Sequence, residues 1–173
     1  EFSQRRALKT PFIGCGDVLS YVEAEEHLQS HGVDSIMIGR GALMKPWLFT
    51  EMADRRHWDI SASERLDLVR DFVGFGLDHW GADARGVETT RRFLLEWLSF
   101  TCRYVPIGLL EAMPPKINWR PRPYVGRNDL ETKLSSQSAK DWIEISEMLL
   151  GKVPDGFCFM PKHKSASYEA PSS

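Results

Sequence analysis

The spacing of apolar positions changes once along the chain, near residue 60. Before that point the apolar residues come in short runs, Pro11-Phe12-Ile13 and Ser35-Ile36-Met37-Ile38, each running into glycine. Short apolar runs bounded by turn signals predict strands. Between them, Ser20-Tyr21-Val22-Glu23 has the S-x-x-E spacing of a capping box, predicting a helix that ends near His31 with Gly32 as its stop. Strand, helix, strand in this order predicts a parallel pair joined by a crossover. Pro46 suits the first turn of a further helix over about residues 46–55.

From Ser61 the period becomes helical. Ser61-Ala62-Ser63-Glu64 is a second capping box, and Leu66, Val69, Phe72, Val73, Phe75, Leu77 and Trp80 follow at helical spacing up to Gly81. Phe93, Leu94, Trp97, Leu98 and Phe100 predict an apolar face on a second helix, about 87–104. A short turn of helix after Pro106 is closed by Pro114 and Pro115, and two more helices are predicted over about 128–135 and 138–149. There is no period-two alternation here, so the second half reads as a small helical bundle. Past Lys164 the chain is expected to fray.

The candidate chemistry lies where the two strands end, at Gly14-Cys15-Gly16-Asp17 and Gly39-Arg40-Gly41. Glycine lets backbone N–H groups approach an anion closely, a helix N-terminus adds free donors, and Arg40 adds a planar permanent cation. Either turn alone is better explained by ordinary turn glycines. Two of them, each after a strand and about one βα repeat apart, favour a phosphate cradle. Paired loops of this kind recur on the last two strands of a (β/α)8 TIM barrel. The fold class expected is therefore α/β plus all-α: the C-terminal strands and helices of a TIM barrel, then a helical bundle. At 173 residues the chain is too short for a whole barrel, which needs roughly 200, so a fragment is expected. The divisions are a leader over 1–10, two βα units over 11–57, a helical domain over 58–151 and a basic tail over 152–173, partly disordered.

Composition narrows the function. No apolar run approaches the ~20 residues that span a bilayer, and three widely spaced cysteines suggest a reducing compartment rather than a disulfide framework. A net charge of −2 means that any basic surface is local. Two windows qualify. Residues 112–127 hold Lys116, Arg120, Arg122 and Arg127 with Trp119 and Tyr124 and no acid; residues 157–168 hold Lys162, His163 and Lys164 with Phe157, Phe159 and Tyr168. Cations neutralise phosphates and aromatic faces stack on unpaired bases. A proline-rich surface loop with incidental cations has the same composition, and the two readings stand level here. Arg91, Arg92 and Arg103 add to the basic count, although a solvated helix face explains each singly. His27 and His31 lack a third ligand, there is no C-x-x-C, and no metal site is expected. Cys102 and Cys158 read as buried thiols.

The run I-M-I-G-R-G-A-L-M-K-P-W-L-F after the G-C-G-D turn closely resembles the C-terminal barrel segment of the tRNA-dihydrouridine synthases. The stretches RHWDISASERLDLVRDF, TRRFLLEWLSF and DWIEISEMLLG resemble the eukaryotic branch that modifies the variable loop. The resemblance covers about residues 11–164. It implies a flavin enzyme in which NADPH reduces FMN, a hydride passes to the uracil C5=C6 bond, and a barrel cysteine supplies the proton. It implies that Gly14, Cys15, Gly16, Asp17, Gly39, Arg40 and Gly41 hold the FMN phosphate, although the family usually has Asn where this chain has Cys15. It implies that no catalytic residue is in this chain, because Cys15, Cys102 and Cys158 all lack the matching context, and that the piece alone has no turnover. The helical domain would contact tRNA, through Arg91, Arg92, Lys116, Arg120, Arg122, Arg127, Lys162 and Lys164. A monomer without membrane attachment is expected, in the cytoplasm and also the nucleus. A stand-alone RNA-binding module and a piece of another FMN barrel acting on a small molecule are the alternatives.

Overall fold

The change of period near residue 60 is also a structural boundary. The computed structural model describes residues 10–113, 115–118 and 124–162. They fall into two compact units, one built from residues up to Asp59 with the segment that starts at Val105, the other from Ile60–Tyr104 with the residues after 123. Together they are mostly helical, with one small parallel sheet.

In the first unit, β1 (Ile13–Cys15) and β2 (Ser35–Met37) pair in parallel, with Ile13 opposite Ser35, Gly14 opposite Ile36 and Cys15 opposite Met37. Helix α1 (Tyr21–Ser30) is the crossover between them, and Gly32 follows it at φ 60°. Ser20 caps α1 by accepting from the Glu23 N–H, as expected. The Glu23 carboxylate, however, accepts from the Leu19 N–H at 2.8 Å rather than from the Ser20 backbone. Two short helices follow, α2 (Arg40–Met44) and α3 (Leu48–Asp54).

Three expectations are corrected here. Gly14 and Cys15 are strand residues, not loop residues, because the ladder continues past Ile13 and pairs Gly14 with Ile36 and Cys15 with Met37. Asp34 ties the start of this ladder: its carboxylate accepts from the Phe12 N–H at 2.7 Å and its own N–H donates to the Phe12 carbonyl at 2.9 Å. Arg40 and Gly41 form the first turn of α2, with Gly39 as N-cap, rather than a loop. Pro46 falls between α2 and α3 instead of opening a helix.

The apolar cluster of this unit is small: Val18, Ala24 and Leu48 are buried in it with Ile36, Ile38 and Met52 packed against them, and Leu19, Met44, Trp47 and Ile117 are buried outside it. The strands are not buried on both faces. Ile13 and Met37 are each 59% exposed.

The second unit packs α4 (Ala62–Trp80), α5 (Ala84–Thr101), α6 (Asp129–Ser135) and α7 (Ala139–Leu150). Its core joins all four helices: Leu66, Val69 and Val73 of α4, Leu94, Leu95 and Leu98 of α5, Leu134 of α6, Trp142 and Ile145 of α7, and Phe159 beyond them. The capping box at Ser61 and Glu64 forms in both directions. Helix α5 begins earlier than its apolar pattern predicts because the Asp83 carboxylate caps it through the Gly86 N–H. Phe93 was expected on the buried face but is 53% exposed, stacked on Trp80 at 4.6 Å, while Leu95 takes the core position. Cys102 is buried and Cys158 is exposed, correcting the second of those two expectations. The segment from Phe157 to Pro161 alternates in burial, and Phe159 takes the inward place beside Cys158.

Candidate functional site

Within the first unit the two glycine turns do approach each other. The Arg40 Nη2 group donates to both carboxylate oxygens of Asp17, at 2.6 and 2.5 Å. Arg40 remains 53% exposed and Asp17 32%, so the pair faces solvent and engages a single guanidinium nitrogen. The Asp17 carboxylate sits against the cation and orients it.

The glycines differ in what they are for. A Cβ on Gly41 would stand 1.9 Å from the Val18 carbonyl oxygen, so only glycine lets α2 approach the loop between β1 and α1. A Cβ on Gly16 would meet the His27 ring at 2.8 Å. A Cβ at Gly39 would meet nothing within 4 Å, so the backbone at the start of α2 lies open to an approaching group.

Beneath this surface lies a charged pair that the pattern of motifs did not reveal. Lys45 and Glu51 have 0% side-chain exposure and meet at 2.6 Å. The Lys45 ammonium also donates to the Leu19 carbonyl at 3.2 Å, and Glu51 accepts from the Trp58 N–H at 3.0 Å. Burial pulls the Lys45 ammonium below the usual lysine range, against the opposing pull of Glu51. His57 is likewise lowered by burial, with its Nδ1 3.8 Å from Glu51. A signal was present in the sequence: Lys45 stands alone inside the apolar run Ala42–Phe49.

The candidate nucleic-acid contacts do not all survive as surface cations. Arg91 is 1% exposed, and its guanidinium donates to Ser146 Oγ at 2.9 Å and to the Leu150 and Gly151 carbonyls at 3.3 and 3.0 Å. It closes the C-terminus of α7 and is corrected from an RNA contact to an internal anchor. Arg92, Lys116 and Lys162 are exposed, Lys116 in the first unit and the other two in the second. Arg127 is exposed but held by Glu131, with its Nη2 at 2.7 Å. Arg120, Arg122, His163 and Lys164 lie outside the described residues. Arg65 was also missed. It is 4% exposed, its guanidinium lies 5.0 Å from the Tyr104 ring centre, and burial lowers its proton affinity.

Among the described residues no three His, Cys, Asp or Glu side chains form a group that would hold a metal ion, and no helix is long and apolar enough to cross a membrane.

Comparison with known proteins finds a likeness over much of the chain. Residues 3–82 match the family model described as dihydrouridine synthase. The more particular likeness is to proteins named tRNA-dihydrouridine(47) synthase [NAD(P)(+)]-like. The human one is 63% identical over 92% of this chain, and the one from Oryza sativa subsp. japonica 59% over 91%. A protein from Cryptococcus neoformans named tRNA-dihydrouridine(47) synthase [NAD(P)(+)] is 58% identical over 91%. The chain spans about a quarter of the length of these relatives, between 22% and 24%. No solved structure matches.

Proposed function

We propose that this chain is the C-terminal portion of a flavin-dependent tRNA-dihydrouridine synthase, which reduces uridine in tRNA to 5,6-dihydrouridine. The observation that carries this reading is identity of 58–63% running through both structural units, to relatives from animals, plants and fungi. The first unit would be the last two βα units of a TIM barrel, and its parallel pair with a helical crossover supports that.

The residues present fit one end of FMN. The open backbone at Gly39 and the solvent-facing, Asp17-oriented Arg40 suit its phosphate, with Gly16 and Gly41 allowing the surrounding chain to pack closely. Gly14 and Cys15 belong to the β1–β2 ladder and only lead into this surface. FMN held there, once reduced by NADPH, would supply the hydride for the uracil C5=C6 bond. The residues of this chain bind and orient; none is assigned the proton transfer to uracil. tRNA would be contacted through exposed cations of the helical unit such as Arg92 and Lys162, and through Arg120 and Arg122.

Two assays test this. With FMN, NADPH and tRNA, the 173-residue chain should form no dihydrouridine; product would overturn the assignment of catalysis elsewhere. It should bind tRNA with an affinity that falls steeply with salt, and Arg120→Ala with Arg122→Ala should weaken binding and flatten the slope. An affinity indifferent to salt would overturn the tRNA part.

A further inference from the structure

We propose that Lys45 is a positioning residue for the phosphate cradle: buried with Glu51, it fixes the 16–20 loop against the helix that carries Arg40 and Gly41. The inference rests on the phosphate reading above and deepens it.

Two consecutive carbonyls of the loop meet the α2 region. The Val18 carbonyl lies where a Cβ on Gly41 would be, 1.9 Å away, a contact only glycine permits. The next carbonyl, Leu19, accepts from the Lys45 ammonium at 3.2 Å, and Lys45 caps the C-terminus of α2. The loop is held from its other side as well, because the Leu19 N–H donates to Glu23 at 2.8 Å. Val18, Leu19 and Ser20 are 1%, 5% and 0% exposed, so this is a buried joint and not a surface latch. Asp17, which orients Arg40, directly precedes it. A shift of Leu19 therefore moves Asp17 relative to Arg40.

A buried lysine is a costly way to fill space. An apolar side chain of similar length would pack as well but would leave the Leu19 carbonyl without its ammonium donor, and buried carbonyls are almost always paired. Buried ion pairs add little net stability against apolar replacements, and in some systems they instead specify one arrangement among several. Here the specified quantity is the spacing of Asp17 from Arg40. Glu51 completes the joint by neutralising Lys45 and accepting from the Trp58 N–H.

The test compares FMN with riboflavin, which lacks the phosphate, in titrations of the intact chain. Wild type should prefer FMN, and Arg40→Ala should lose the preference. The double variant Lys45→Met with Glu51→Gln removes the donor, keeps the volume and leaves an acceptor for Trp58. It should lower the FMN preference about tenfold, the loss expected for one hydrogen bond to a charged group. Its riboflavin affinity and far-UV circular dichroism should stay at the wild-type level, which a merely structural role would not arrange. Full FMN preference in this variant, with Arg40→Ala deficient, overturns the positioning role while the phosphate reading stands. No preference in wild type overturns both. Should the double variant not fold, the wild-type Lys45 ammonium resonance decides: FMN should shift it and riboflavin should not, and an unmoved resonance in saturating FMN overturns the proposal.

Discussion

The two units hold themselves together by different means. The helical unit has a continuous core that joins four helices through Leu66, Leu94, Leu134, Trp142 and their neighbours. The α/β unit has three fully buried apolar residues in its cluster, Val18, Ala24 and Leu48, and leaves Ile13 and Met37 59% exposed. What defines its geometry is polar and steric: the Lys45–Glu51 pair, the Asp17–Arg40 pair, and the glycine contact of Gly41 with Val18. Apolar burial scales with area and is tolerant of detail, whereas a buried charge or a sub-van-der-Waals clash depends on single atoms. A stability-bearing unit and a geometry-bearing unit should therefore respond differently to substitution.

The largest effect should come from Trp142→Ala in the helical unit. Trp142 is 1% exposed and donates to the Ser136 carbonyl at 2.8 Å. Its truncation should cost about 4 kcal/mol, read from urea unfolding by circular dichroism. A cost below about 1 kcal/mol would mean that this core is not what carries the unit.

Next comes Lys45→Met alone, which leaves Glu51 buried without its cation. The expected loss is about 3 kcal/mol, seen as faster amide exchange in α1 and α2 with α4–α7 unaffected. Equal acceleration in both units would erase the proposed contrast.

Arg91→Met should cost about 2 kcal/mol by freeing the carbonyls that end α7, with fraying of that helix as the local sign. If tRNA affinity fell while exchange in α7 stayed slow, Arg91 would be a contact after all.

The smallest effect concerns pH. The Arg127 hydrogen bonds hold the Glu131 carboxyl below the usual carboxylate range. A depressed folded value contributes stability that is present above the ordinary value, about 4.3, and is lost as pH falls through the folded value. Glu131→Gln should remove this acid-side slope from the helical unit; an unchanged slope would assign it to other carboxylates.

How much was legible in the sequence follows from how local each determinant is. The Ser61–Glu64 capping box could be read because both partners lie in one turn. The four helices of the second unit follow from apolar spacing, and the parallel pair from strand–helix–strand order. The exact end of β1 was not readable, because it is set by pairing with Ile36 and Met37 on the other strand. Arg91 was unreadable for the same reason on a larger scale, and Lys45 left only its isolation among apolar neighbours as a signal. A cation's burial is decided by partners distant in sequence, Leu19 for Lys45, Ser146 and Gly151 for Arg91. Counting basic residues in a window sees charge but not which charges the fold consumes.

The most direct measurement is the affinity of the intact chain for FMN and for riboflavin, in wild type and in Arg40→Ala. Wild type should bind FMN at least tenfold more tightly than riboflavin, about 1.4 kcal/mol, and Arg40→Ala should bind the two alike. Equal affinity of wild type for both ligands would contradict the phosphate cradle.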